Sequence, residues 1–188
     1  MTPTPSTGMR RWWLGLCAAC AMIGVGQPAR ADAAPSEAAV EAAYLYKFLP
    51  YVQWPADALP PGKALNVGLA GSDAVLVEFK AIAASKRVDG HTIQVRPLSE
   101  GDPIEELHVL YVGKSAGGPA LREWARRLQR RPVLIVTDLP DGLDRGAMLA
   151  LVPADGRIRF VASAASAERA GLHLSARLLA VADKVVLP

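Results

Sequence analysis

Cysteine, aromatic residues and long apolar runs are all scarce in this sequence. Only two of the 188 residues are cysteine, Cys17 and Cys20, and both fall within the first twenty positions. The rest of the chain has no thiol for a disulfide, a nucleophile or a thiolate metal site. Trp12 to Val25, an unbroken run of apolar residues and glycine, is shorter than the roughly twenty residues that a membrane-spanning helix needs. We therefore expect a soluble domain that is stabilised by its apolar core alone.

Net charge is also absent from most of the chain, because the excess of basic residues lies near the N-terminus. The chain has 21 Lys and Arg against 18 Asp and Glu, a formal charge of +3. The excess comes from Arg10, Arg11 and Arg30, which lie in a stretch without any acid, so the two signs balance from Asp32 onward. Nucleic-acid binding requires a basic surface, and no nucleic-acid partner is expected for the folded part.

The first 31 residues have the composition of an export signal. Arg10 and Arg11 precede the apolar run, and Pro28-Ala29-Arg30-Ala31 supplies the small residues of a cleavage site. We predict that residues 1–31 are a signal peptide, cleaved between Ala31 and Asp32. Residues 32–188 are then expected in the periplasm as a single α/β domain.

Two other export routes stay open. Ala18-Ala19-Cys20 partly fits a lipoprotein cleavage site, although Cys17 stands where an aliphatic residue is usual. The stretch from Arg10 to Leu14 partly fits a twin-arginine signal. Cleavage after Ala31 removes both cysteines, whereas lipoprotein processing would retain Cys20 as an acylated N-terminus.

Strand and helix patterns alternate along the chain from Ser36. Ser36 has the side chain of a helix N-cap, and Val40, Tyr44, Phe48 and Val52 then recur every four residues. The expected helices cover this segment, interrupted at Pro50 and ended by Trp54-Pro55, then 73–84, 117–131 and one long final helix over 164–184. The expected strands are 65–70, 92–95, 107–112, 133–137, 147–152 and 157–161.

This alternation predicts an α/β layered sandwich, with a mixed, mostly parallel sheet flanked by helices. Val133–Thr137 is a continuous apolar run, as expected of a parallel strand covered on both faces. The sheet is predicted to be mixed because Asp155-Gly156 marks a tight hairpin turn between two late strands.

Several segments resemble, in the same order, the YfiR-like family of periplasmic proteins. The segments are Ala42–Phe48, Val52–Pro55, Leu107–Val112, Arg131–Asp138, Arg157–Phe160 and Ala170–Leu179. The resemblance extends over residues 40–183. It implies a small periplasmic α/β protein that binds the periplasmic sensor portion of an inner-membrane diguanylate cyclase. Through that contact it is expected to inhibit the cyclase and lower cyclic-di-GMP signalling.

The resemblance also implies a further partner, an outer-membrane lipoprotein that sequesters the repressor. Apart from the resemblance, a second copy of the chain is another candidate partner. The sequence departs from the well-known member of the family at two positions. Leu107 stands where the well-known member has a cysteine, so redox control through that position is not expected. Ala162 or Ser163 replaces an asparagine of that member.

Five of the nine aromatic residues after Asp32 fall between Tyr44 and Trp54. Tyr44 and Phe48 are four residues apart on one helical face, which favours the core. Tyr46 and Tyr51 fall off that face, and with Trp54 they are predicted to bind a partner through an aromatic patch. Packing against residues 57–63 is the alternative interpretation.

A weaker candidate site lies where two predicted strands end. Gly71 and Ser72 follow one strand, and Thr137 and Asp138 end another. Ligands of open α/β sheets bind outside the carboxyl ends of the strands, near helix N-termini, so these four residues are predicted to bind a ligand. Ordinary helix capping is the alternative. This site suggests a second function, a periplasmic small-ligand binding protein that serves a transporter or sensor.

Catalytic signatures are not found. His91, His108 and His173 are unpaired at metal-ligand spacing, and the chain has neither a G-x-S-x-G nor an H-E-x-x-H motif. We therefore expect a protein that is not an enzyme and that carries no cofactor and no metal.

Overall fold

A large twisted sheet forms the centre of the computed structural model, which describes residues 34–187. The predicted cleavage site between Ala31 and Asp32 lies outside the described residues. The helices are α1 Glu37–Phe48, α2 Asp73–Ser85, α3 Gly117–Arg127, α4 Ala164–Arg169 and α5 Ala176–Ala180. The strands are β1 Val52–Gln53, β2 Leu65–Ala70, β3 Arg87–Val88, β4 His91–Pro97, β5 Val109–Val112, β6 Leu134–Thr137, β7 Leu149–Ala154, β8 Arg157–Ser163, β9 His173–Leu174 and β10 Lys184–Val186.

The eight strands of the sheet follow the order β10-β8-β7-β6-β5-β2-β4-β3. Two neighbouring pairs are antiparallel, β7 with β8 and β3 with β4, and the other pairs are parallel. The prediction of a mixed, mostly parallel sheet flanked by helices is confirmed. Asp155 and Gly156, with φ of 50° and 70°, form the predicted turn between β7 and β8.

The strands separate two apolar layers because successive side chains point to opposite faces. Val109 and Tyr111 of β5 belong to the cluster that holds the buried residues of α1 and α2. Leu110 and Val112 belong to the cluster that holds Leu121 and Trp124 of α3. Helices α1 and α2 therefore cover one face of the sheet, and α3 covers the other.

The first helix begins as the sequence predicts and ends earlier. The Ser36 hydroxyl accepts a hydrogen bond from the Ala39 N–H at 3.1 Å and caps α1. After Phe48 the chain tightens into a single 3₁₀ turn over Leu49–Tyr51, because Pro50 has no N–H to continue the helix. Trp54 follows a short strand, β1, and is not part of the helix.

The prediction of one long helix over residues 164–184 is wrong. Gly171, with φ of +79°, breaks the helical path after α4. His173 and Leu174 pair antiparallel with Gln53 and Val52 as β9, and the Ser175 hydroxyl then caps α5. At His173 and Leu174 the backbone therefore forms hydrogen bonds with the distant strand β1 and not within a continuous helix.

Among the residues that the structure describes, no helix is both long and apolar enough to cross a membrane.

Candidate functional site

Tyr44 and Phe48 pack into the core, as predicted. Phe48 is 2% exposed and lies edge-on to Phe160, with 4.9 Å between the ring centroids. Tyr44 lies 5.8 Å from Phe48, and its hydroxyl donates to the Ile158 carbonyl at 2.8 Å. These contacts tie α1 to β8.

The three aromatic residues predicted to bind a partner differ in exposure. Tyr51 is 40% exposed. Tyr46 is half-buried, and its hydroxyl lies 3.4 Å from the Arg87 carbonyl. Trp54 is also half-buried, and its indole N–H donates to the His108 carbonyl at 3.3 Å. Tyr51 thus has the largest exposed fraction of the three, and the partner-binding role of all three stays a prediction.

Tyr51 stands beside a short antiparallel ladder. The Tyr51 carbonyl accepts from the Ser175 N–H at 2.9 Å, and Gln53 pairs with His173 in the ladder. Gln53 and His173 are exposed, whereas the neighbouring pair Val52 and Leu174 is buried. We call Tyr51, Gln53 and His173 the β1–β9 surface. Its backbone is held on both strands.

His108 connects the loop after Trp54 to the central strands. It is 3% exposed, and its Nδ1 accepts from the Asn66 N–H at 3.0 Å. Its Nε2 therefore carries the proton and donates to the Ala58 carbonyl at 3.1 Å. Burial lowers the pKa of the His108 imidazole, and the charge of Lys63 acts in the same direction, against the hydrogen bond to Ala58.

This geometry predicts a pH dependence of stability. Because the folded-state pKa of His108 is depressed, the unfolded chain binds the extra proton first. The stabilising contribution of the neutral His108 imidazole is complete above its unfolded-state pKa of about 6.5. This contribution declines as the pH falls toward the folded-state pKa of His108. In His108→Asn, whose amide oxygen can still accept from Asn66, urea unfolding should show a smaller loss of stability between about pH 7 and pH 5.

His173→Asn, which replaces an exposed histidine, is the matched control for the histidine-to-asparagine change. Equal slopes for the wild type and His108→Asn would contradict the assignment.

The second candidate site is a crevice outside the carboxyl ends of β2 and β5. From β2 the chain continues through α2 to β4 on one side, and from β5 it continues through α3 to β6 on the other. The strand order therefore reverses between β2 and β5, where ligand sites of open α/β sheets lie. The crevice has a volume of about 400 Å³, and its lining includes Glu37, Glu41, Gly71, Ser72, Lys114 and Asp138.

Two glycines let the loops after these strands come close together. Gly71 has φ of +68°, and a Cβ there would lie 2.4 Å from the Ala116 backbone nitrogen. A Cβ on Gly113 would lie 2.5 Å from the Gly71 carbonyl oxygen. Any larger residue at either position would push the loops apart, so both glycines shape the crevice.

Two acidic groups, the buried Glu41 and the half-buried Asp138, dominate the chemistry of the crevice. Glu41 is 5% exposed, and its Oε2 accepts from the hydroxyl of the fully buried Tyr111 at 3.0 Å. Burial raises the pKa of the Glu41 carboxyl, the charge of Asp138 raises it further, and the Tyr111 hydrogen bond opposes both. Burial also raises the pKa of Asp138, against the backbone N–H groups of Asp138 and Lys114.

Lys114 lies at the opening of the crevice. Its Nζ donates to Glu37 Oε1 at 3.0 Å, and both side chains are mostly exposed. An exposed pair of this kind contributes at most about 1 kcal/mol to stability. Because Lys114 is paired with Glu37, neither Glu41 nor Asp138 has a cationic hydrogen-bond partner among the described residues.

Three of the four residues predicted to bind a ligand line this crevice together, namely Gly71, Ser72 and Asp138. Thr137 does not. It is fully buried, and its hydroxyl donates to the Val112 carbonyl at 2.6 Å and accepts from the Leu139 N–H at 3.2 Å. Thr137 connects β5, β6 and the following loop, and it has no free surface for a ligand.

Glu41, Tyr111 and Lys114 were not singled out by the sequence analysis. Glu41 could have been found because it lies beside the apolar stripe of a helix, and an acid that becomes buried there requires a partner. Tyr111 could have been found because it is the tyrosine of an otherwise apolar parallel strand, and a buried tyrosine hydroxyl is usually hydrogen-bonded. Within residues 34–187, no three acidic, histidine or cysteine side chains are grouped so that they would hold a metal ion.

A family model and a solved structure both match this chain. A family model described as YfiR/HmsC-like matches residues 38–183. The crystal structure of a conserved domain protein from Vibrio cholerae superposes with a TM-score of 0.51 at 14% identity, covering 80% of this chain and 60% of that one. At this identity the likeness extends to the fold alone. No curated protein matches in sequence.

Proposed function

Because the chain belongs to the YfiR/HmsC-like family, we propose that it is a periplasmic regulatory binding protein that inhibits an inner-membrane diguanylate cyclase. The family is regulatory rather than catalytic, and its model covers nearly all of the described residues. This coverage is the observation that carries the proposal. The contact is made with the periplasmic sensor portion of the cyclase, and its effect is a lower level of cyclic-di-GMP.

Inhibition through a periplasmic contact requires differential binding to two states of the cyclase. A partner that binds the inactive conformation more tightly shifts the population toward it. Reversing an equilibrium from about 99:1 to 1:99 requires a preference of roughly 10⁴-fold for the inactive conformation. Such a preference calls for a contact surface of fixed shape on the regulator.

The β1–β9 surface fits this requirement and is proposed as the contact site. Tyr51 combines an exposed ring with a backbone held by the Ser175 N–H. A preorganised aromatic side chain loses little conformational entropy when it binds, and tyrosine is enriched among binding hot spots. Tyr46 and Trp54, which are half-buried, are proposed to support the edge of the contact.

An outer-membrane lipoprotein is proposed to release the cyclase by competing for the regulator. A second copy of the chain is another candidate occupant of the same surface. Both would reduce the free regulator by mass action.

Deleting the gene and restoring it on a plasmid tests the proposal. Cyclic-di-GMP, measured by mass spectrometry, is expected to rise in the deletion strain and to return on complementation. A second deletion that removes the target cyclase should abolish the rise. An unchanged level in the first strain, with every cyclase present, would contradict the proposed function.

Small-ligand binding in the service of a transporter or sensor is the second candidate function. The observation that favours it is the crevice at the reversal of strand order, which is lined by the buried Glu41 and the half-buried Asp138.

A further inference from the structure

One end of the sheet has a side that no described helix covers. The apolar layer beneath α3 contains residues of β2, β5 and β6 but none of β7, β8 or β10. On this side of the three strands, Val152 and Val161 are half-buried and belong to neither apolar cluster. Val186 of β10 is exposed. We call this side of β7, β8 and β10 the open face.

The open face carries positive charge. Phe160 of β8 packs in the cluster that holds α1 and α2, so Arg157 and Arg159 point to the open face. Lys184 of β10 pairs with Val161 of β8 and therefore points to the same side. The three basic side chains are exposed, and none of them forms an ion pair with a described residue. An acidic partner would complement this face.

Strand β10 also forms an open edge of the sheet. It stands first in the strand order, and β8 is its only neighbour among the described strands. The Asp183 N–H donates to the Phe160 carbonyl of β8 at 2.8 Å. Because the backbone groups of successive residues point to opposite sides of a strand, those of Lys184 and Val186 point away from β8. Such an edge is able to pair with one more strand.

Exposed apolar side chains are concentrated at the same edge. Val181, Val186 and Leu187 are three of the five large apolar residues that are exposed in the described part of the chain. All three lie in β10 or close to it in sequence. Exposed apolar groups that are gathered in one place are typical of protein interaction sites.

We propose that the β10 edge binds an extended acidic segment of a partner protein, which adds a strand beside β10. The backbone of this segment pairs with Lys184 and Val186, and its carboxylates lie beside Lys184 and Arg159 on the open face. Apolar side chains of the segment pack against the exposed residues around β10. The inference concerns a surface other than the β1–β9 surface and holds whether or not the chain inhibits a cyclase.

Two other occupants fit these observations less well. If β10 paired with β10 of a second copy, the basic side chains of both open faces would come together and repel each other. An anionic membrane would match the charge, but lipid headgroups do not form a ladder of backbone hydrogen bonds with Lys184 and Val186. The combination of positive charge and unpaired backbone groups therefore favours an acidic protein strand.

Titration of the purified protein with a fluorescently labelled peptide at neutral pH tests the inference. The probe is a capped peptide of alternating glutamate and valine, and the comparison peptide has lysine in place of glutamate. Fluorescence anisotropy should show saturable binding of the acidic peptide, and the lysine peptide should bind at least about tenfold more weakly. Added salt should weaken binding of the acidic peptide, because it screens exposed charges.

Two pairs of variants separate the charge from the backbone pairing. Arg159→Glu should weaken binding of the acidic peptide by at least about tenfold. Lys80→Glu, at an exposed position of α2, is its matched control and should change the affinity by less than about twofold. Val186→Pro removes an N–H that points away from β8 and should weaken binding by at least about tenfold, whereas Val186→Ala keeps this N–H and most of the affinity.

Hydrogen exchange of the wild-type backbone amides provides a readout that does not depend on the variants. The acidic peptide should protect the amides of Lys184 and Val186 and leave the β1–β9 ladder unchanged. No saturable binding of this peptide at millimolar concentration would overturn the inference. Equal binding of the lysine peptide, or an unchanged affinity in Arg159→Glu or in Val186→Pro, would also overturn it.

Two further results would assign the edge to another occupant and overturn the inference as well. One is protection of the same two amides by phosphatidylglycerol vesicles but not by the acidic peptide. The other is protection of these amides without any peptide, in a dimer that forms as the protein concentration rises.

Discussion

Replacing Phe48 by alanine is expected to lower the free energy of unfolding by about 3–5 kcal/mol. The ring is 2% exposed, lies 4.9 Å from Phe160 and 5.8 Å from Tyr44, and joins α1 to β8. Its removal leaves a cavity that these rigid neighbours cannot fill. Because the total stability of a domain is about 5–15 kcal/mol, this variant should unfold at much lower urea concentration than the wild type.

Tyr51→Ala is the matched control for the stability measurement. Its ring is 40% exposed, so the loss should stay within about 0.5 kcal/mol. Circular dichroism during urea unfolding measures both variants. If Tyr51→Ala destabilised the protein as much as Phe48→Ala, Tyr51 would be a core residue and the proposed β1–β9 contact surface would be wrong.

The same Tyr51→Ala variant is expected to release the cyclase from inhibition. A binding hot spot contributes about 2 kcal/mol or more, which corresponds to at least about 30-fold weaker binding of the cyclase's periplasmic portion. Cyclic-di-GMP in cells that express this variant should approach the level of the deletion strain. The variant protein should accumulate to the wild-type level, since its stability is nearly unchanged.

Val77→Ala provides the control for partner binding. Val77 is 67% exposed on α2, so the change removes a similarly accessible apolar side chain from another element. Its cyclic-di-GMP level should match that of the wild type. A wild-type level in Tyr51→Ala as well would remove Tyr51 from the contact, and the partner surface would have to lie elsewhere.

Local sequence patterns predict the strands and helices that depend on their own residues. The strand predicted over Leu65–Ala70 begins and ends at the same residues as β2. Asp155-Gly156 forms the predicted hairpin turn because both residues tolerate positive φ. Leu121 and Trp124 lie on the buried face of α3, as their spacing indicates. In each case the periodicity and the turn chemistry agree with the tertiary structure.

Elements that depend on distant partners escape the same reasoning. β1 and β9 have two residues each and exist because they pair with one another across more than a hundred positions of sequence. That pairing divides the helix expected over 164–184. Similarly, α1 buries Glu41 whereas Val40 is only half-buried, because Tyr111 from β5 offers Glu41 a hydrogen bond.

The crevice shows the same division between local and distant information. Gly71, Ser72 and Asp138 were predicted as ligand residues, because strand ends of α/β sheets converge. Their neighbour Glu41 comes from a helix that precedes the sheet in sequence, and no spacing rule connects it to Asp138. Only the packing of α1 against the sheet brings the two carboxyls together.

Reconstitution of the cyclase tests the proposed regulation most directly. The purified regulator, residues 32–188, is titrated against the purified full-length inner-membrane diguanylate cyclase in lipid vesicles, and the rate of cyclic-di-GMP synthesis is followed. The wild type should inhibit synthesis to saturation, whereas Tyr51→Ala should require at least about 30-fold more protein for the same inhibition. An unchanged rate at saturating wild-type regulator, with each membrane diguanylate cyclase of the same cell, would contradict the account.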